Sequence, residues 1–170
     1  MQNDPVGTIG SLSTLCLALT AVAASLRIFG AERVVFWRES ASGINTLAYF
    51  LGKDLSYIPN MLVAPLLFEA LFYSITAPRS TFIDLYFILL CVEIVSVSLG
   101  FLVSIVVKPS VSQLTGVVIV MIMVMFSGMR PTLKEFENMS FPMPYVPWLS
   151  FPRWSQEALY INGLSIFFLL

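Results

Sequence analysis

Two carboxylates stand where lipid is expected. Glu69 lies in the apolar stretch YIPNMLVAPLLFEALFYSI (57–75) and Glu93 in the apolar stretch 82–107, and neither stretch carries an internal Lys or Arg as a partner. An ionised side chain at the centre of a membrane helix costs roughly 3 kcal/mol or more, so each carboxyl is expected to be neutral or turned to a polar interior. At 1.5 Å per residue they lie about 9 and 16 Å in from the outer ends of their stretches, which permits a shared hydrogen bond without requiring one. Their chemistry would be the binding of a proton during transport or a structural polar contact.

A second concentration of charge is ERVVFWRESASG (32–43), between two apolar stretches. Wound as a helix, 100° steps put Glu32, Val35, Phe36 and Glu39 on one side and Arg33, Val34, Trp37 and Arg38 on the other. The basic, aromatic side suits a membrane interface, where Trp sits at headgroup level and Arg reaches anionic lipid. The acidic side would then be free for a protein partner. Equally, these residues could serve only as a polar join between two spans.

Other chemistries are excluded. The 170 residues include no histidine, and Cys16 and Cys91 sit in apolar runs, where they read as packing residues. No catalytic residue and no metal site is expected. Nine basic and ten acidic residues give no basic surface for nucleic acid. No GxxxxGK[ST] loop is present, so nothing in these residues cradles nucleotide phosphates.

The elements that must position these groups are membrane helices. With 58% hydrophobic and 11% charged residues and a mean hydropathy of +0.87, the chain is expected in a bilayer rather than in water. Spans are expected at 9–29, 57–75, 82–107 and 111–129. Lys53 precedes the second, which Pro59 and Pro65 should kink. A connecting helix is expected at 31–43, and the proline-rich stretch 130–162 reads as an outer loop or re-entrant segment. Arg27, Arg33, Arg38 and Lys53 before the second span, against Arg79 after it, put residues 30–55 in the cytoplasm. The fold class is therefore all-α: a polytopic bundle of about four spanning helices in the plasma membrane or an internal membrane. Asn138 begins an N-x-S sequon on the outer side. The closing LSIFFLL is too short to cross a bilayer, so a partial chain is expected.

Four blocks in order, ERVVFWRESASG, YFLGKDLSYIP, FSG at 126–128 and FPRWSQEALYIN at 151–162, resemble the membrane domain of ABC transporters of the G subfamily, the white and pleiotropic-drug-resistance type. WRESASG and APRSTF look especially similar to plant and protist half-transporters. The resemblance implies an ABC-2 type domain that works as a homo- or heterodimer with a second half-transporter. It implies export of lipid-like or amphipathic small molecules by alternating access. The ATP and Mg that drive export would bind a nucleotide-binding domain outside these residues.

Carried over residue by residue, the resemblance makes 31–43 the helix that relays movement of the ATPase domain, with Glu32, Arg33, Arg38, Glu39 and Lys53 as coupling residues. Thr20, Val117 and Met121 would line the substrate cavity, Thr20 standing where some members have an aromatic clamp. Phe126, Met129 and Arg130 would form the outer gate. A different class of function remains open: a stand-alone four-span protein, either an assembly factor or a proton-linked carrier using Glu69 and Glu93.

Overall fold

A computed structural model describes residues 5–30, 32–76, 78, 80–127 and 145–165. Its helices are α1 (Pro5–Gly30), α2 (Arg33–Ala41), α3 (Thr46–Thr76), α4 (Phe82–Val106), α5 (Pro109–Met125), α6 (Val146–Leu149) and α7 (Phe151–Ser165). Among the described residues three stretches are long and apolar enough to cross a membrane: Ile9–Ala41, which takes in α1 and α2, then Thr46–Thr76 and Phe82–Val106. The fourth expected span is a shorter apolar helix, Pro109–Met125. Its 17 residues reach about 25 Å, somewhat less than a 30 Å hydrocarbon layer. The last two expected span residues, Gly128 and Met129, lie outside the described residues, as do Arg130 and Asn138. The described part of the proline-rich stretch is helical, in α6 and α7.

Local chemistry sets the boundaries. Thr81 caps α4 in an extended conformation, and its hydroxyl donates to the Asp84 carboxylate in the first turn, which favours the positive end of the helix. Lys108 is extended, as a residue before proline must be, and Pro109 opens α5 where its missing N–H has no helical partner to lose. The helix α3 runs on through Pro59 and Pro65. Beside the carbonyl that Pro65 deprives of its donor, Leu62 O accepts from Tyr86 Oη of α4 at 3.1 Å.

α1 is the centre of the bundle, packed on α4, α5 and α7, while α3 packs mainly on α4 and touches α1 as well. The buried face of α1 runs Ser11, Thr14, Leu17, Ala18, Ala21, Val22, Ser25 and Leu26, a helical period written in small residues as much as apolar ones. It meets Leu89, Val92 and Val103 of α4 and Val120 of α5. Small residues allow close approach. A Cβ on Gly100 would fall 1.8 Å from Ser25 Oγ, and one on Gly116 would fall 2.8 Å from Val22 Cγ1. Three buried hydroxyls between α1 and α4 satisfy themselves on backbone: Ser25 donates to Val22 O at 3.0 Å, Ser96 to Val92 O at 2.7 Å, and Ser104 crosses from α4 to Leu26 O of α1 at 2.9 Å. Cys16 and Cys91, expected to pack inside, are instead free and exposed on the outer surface of the bundle. There an apolar thiol can face lipid without a partner.

Candidate functional site

The charged segment forms an elbow against three other helices. α2 ends in a tight reversal, with Ser42 N–H on Glu39 O at 3.0 Å and Gly43 N–H on Ser40 O at 3.1 Å. Gly43 has φ of +95°, a conformation that a side chain would strain. Asn45 then accepts Leu47 N–H at 3.0 Å, which caps the start of α3. Between them these two residues turn α3 back alongside α2.

That reversal brings the acidic side of α2 onto α3. Lys53 Nζ lies 2.5 Å from Glu32 Oε2, and Tyr49 Oη donates to the same oxygen at 3.4 Å. Phe36, one turn along α2, packs on Tyr49 with ring centroids 4.9 Å apart. Lys53 also sits 5.8 Å from the Tyr49 ring centre. Glu39 adds its negative field to both Tyr49 and Lys53. Glu32, Phe36 and Glu39 thus oppose Tyr49 and Lys53, and this face is not left free for a protein partner as its sequence led one to expect. The reason is the turn, which spans too few residues to hold α2 and α3 apart.

Both charges of the pair lie outside the apolar runs 9–29 and 57–75, at the polar ends of the longer stretches Ile9–Ala41 and Thr46–Thr76, Glu32 in the link after α1 and Lys53 in the first turns of α3. The hydrogen bond and charge of Lys53 hold the Glu32 carboxyl below its usual range. The hydrogen bond that Lys53 donates to Glu32 outweighs partial burial and holds Lys53 above its own.

The basic side of α2 divides. Trp37 is 63% exposed, and Arg38 is exposed without an ion pair among the described residues, as suits an interface. Arg33 does something else. Its Nη1 donates to Val107 O at 3.3 Å and its Nη2 to Ile105 O at 2.5 Å. These are carbonyls at the C-terminal end of α4, which carries a partial negative charge and has no helical donors left. The root of α2 is therefore fastened to α3 by Glu32 and to α4 by Arg33. The partners of Arg33 are more than seventy residues away in sequence, and no short-range signal marked them.

The remaining candidate residues are spread through the bundle. Thr20 is exposed on α1 with its hydroxyl folded back onto Leu17 O at 2.8 Å and Cys16 O at 3.1 Å. Met121 is 45% exposed on α5, and Val117 is half-buried one turn before it. Phe126 caps the end of α5 with its N–H on Ile122 O at 3.2 Å. Met129 and Arg130 fall outside the described residues.

Glu69 and Glu93 are buried, at 0% and 2% exposure, and they do not share a hydrogen bond. Among the described residues neither oxygen of Glu69 has a hydrogen-bond partner, nor does Oε2 of Glu93. The ring contacts Tyr73–Phe82 and Tyr57–Phe101 fix the antiparallel register of α3 and α4. That register sets Glu69 level with about the 86–89 turn of α4, one to two turns short of Glu93. Among the described residues no group of His, Cys, Asp and Glu could hold a metal ion.

Comparison with known proteins gives the arrangement its context. A family profile described as ABC-2 type transporter matches residues 1–167. The chain is 35% identical over 156 residues to ABC transporter G family member 25 of Oryza sativa subsp. japonica, covering 92% of the chain and 14% of that protein. It is 27% identical over 164 residues to ABC transporter G family member 28 of Arabidopsis thaliana, covering 96% of the chain and 14% of that protein. To Protein white of Drosophila melanogaster it is 30% identical over 174 residues, covering 95% of the chain and 24% of that protein. The chain thus spans about one seventh of the length of these plant relatives and about one quarter of the fly protein.

Proposed function

Since the chain belongs to the ABC-2 type transporters, as a membrane domain of the ABCG and white-brown group, we propose that it forms part of the transmembrane pathway of an ATP-driven exporter. The substrates are lipid-like or amphipathic small molecules, moved by alternating access across a dimer of half-transporters. ATP and Mg bind a nucleotide-binding domain, and the described helices supply the path and the coupling. The exposed surfaces of α1 and α5 around Thr20, Val117 and Met121 face the cavity between the two halves, and Phe126, Met129 and Arg130 close it on the outer side.

The observation that carries this reading is the double fastening of α2, by Glu32 to Lys53 of α3 and by Arg33 to the end carbonyls of α4. Force applied to α2 then reaches two helices at once. The whole of α2 contains no buried residue; Arg38 is exposed, and Glu39, although it faces α3, is half-exposed at the far end of α2 from the Glu32–Lys53 contact, so both can be reached by the ATPase domain. Contact there would push on a helix rigidly joined to the bundle.

The test uses the full-length protein reconstituted in liposomes, with Glu39→Lys. Substrate-stimulated ATP hydrolysis should fall about tenfold, the loss of one charge-assisted contact, while the melting temperature stays within a few degrees. Unchanged stimulation would remove Glu39 from coupling.

A further inference from the structure

We propose that the elbow holds a binding site for one anionic phospholipid, separate from the transport path. The site is a cavity of about 260 Å³ lined by Phe29 of α1, Arg33, Phe36 and Trp37 of α2, Tyr49 and Phe50 of α3 and the end of α4. This is smaller than the roughly 300–1,000 Å³ of sites that enclose a whole drug-sized molecule. It suits the upper part of one acyl chain, with the headgroup outside.

The walls and the mouth differ in chemistry. Phe29 and Phe50 stack at 5.5 Å and Phe36 meets Tyr49 at 4.9 Å, so the lining is a set of locked rings that present apolar faces. The hydroxyl of Ser104 is already bonded to Leu26 O. Among the described residues Arg33 is the sole charged side chain of the lining. It gives two N–H groups to α4 and forms no ion pair among the described residues, because the neighbouring Glu32 is held by Lys53. The rest of its planar fork remains able to take a phosphate oxygen.

The cavity also sits at the right level. It lies where α1 and α4 end and α3 begins, the end of the bundle that gathers Arg27, Arg33, Arg38, Lys53 and Lys108, five of the nine basic residues. Trp37, at the cavity wall and 63% exposed, is the residue type that settles at headgroup depth. An apolar slot opening beside a guanidinium without an ion pair at this depth matches a lipid of net negative charge and disfavours one whose headgroup charges cancel.

Native mass spectrometry of the purified full-length protein, titrated with dioleoyl phosphatidylserine or dioleoyl phosphatidylcholine, tests this. The wild type should bind phosphatidylserine about tenfold more tightly, as one charge-assisted contact implies. Arg33→Gln should bring it down to the phosphatidylcholine level. Thr46→Trp, which fills the cavity from the first residue of α3 without touching the bonds of Arg33, should do the same, and Ile105→Trp fills the opposite wall if that variant melts early. Arg38→Gln, an exposed guanidinium outside the cavity, should bind like wild type. Equal binding of the two lipids overturns the proposal, as does retention of phosphatidylserine by the cavity-filling variants, or its displacement by inorganic phosphate alone.

Discussion

Breaking the Glu32–Lys53 pair gives a measurable loss whose size follows from its surroundings. The side chains are 27% exposed at Lys53 and 47% at Glu32, so water screens the pair. An exposed ion pair is worth about 0.2–1 kcal/mol. The contact at 2.5 Å, with a second hydrogen bond from Tyr49, argues for the upper part of that range. Lys53→Met and Glu32→Gln should each lower stability by about 0.5–1 kcal/mol, and the double variant by less than their sum, leaving a coupling energy of about 0.5 kcal/mol.

The pH dependence has a definite sign. Glu32 is lowered on folding, so its contribution is present above the ordinary carboxylate range and is lost as pH falls through the folded value. Lys53 is raised, so its contribution is present below the ordinary lysine range and is lost as pH rises through the folded value. The coupling should therefore be constant at neutral pH and vanish toward either extreme. Thermal unfolding of the four proteins in detergent micelles, at neutral pH and in steps down to well below the ordinary carboxylate range, reads it. Strictly additive single variants at neutral pH, or a coupling unchanged in acid, would refute the pairing.

Other consequences can be checked in the same preparation. Gly100→Ala should destabilise by about 1–3 kcal/mol, because the new methyl meets Ser25 and the Val22 carbonyl of α1. Gly52→Ala, which meets nothing within 4 Å in the middle of a helix turn, should stabilise by about 0.5–1 kcal/mol; melting temperatures moving in the same direction would contradict the packing described. Glu69→Leu should raise the melting temperature, since a buried carboxyl without a hydrogen bond is unfavourable by about 1–3 kcal/mol; a fall would reveal a partner for Glu69 in the assembled protein.

The parts of this molecule legible in its sequence are those set by local rules. Apolar length located α1, α4 and the apolar part of α3, which begins eleven residues before the expected 57, and it put the fourth span at 111–129 where α5 runs Pro109–Met125. Gly43 and Asn45 occupy the positions that a helix stop and a helix start demand. The opposed faces of the charged segment followed from 100° steps alone. What those faces touch did not. Arg33 is bonded to carbonyls near residue 106, and backbone carbonyls carry no side-chain signature. Glu69 and Glu93 invited pairing because both are acids in apolar stretches, yet the register of α3 on α4 is set by Tyr57, Tyr73 and their aromatic partners. The buried face of α1 was hidden for a related reason. In a bilayer both faces of a helix are apolar, so Ser, Ala and Gly mark the core as much as Leu does.

The central claim is that α2 transmits force because Arg33 ties it to α4. The most direct measurement is the ratio of substrate exported to ATP hydrolysed, in liposomes that contain the full-length protein with Arg33→Gln. The account predicts that ATP hydrolysis continues within about twofold of wild type while transport per ATP falls about tenfold, the worth of a charge-assisted hydrogen bond lost from the joint. An unchanged ratio would contradict it.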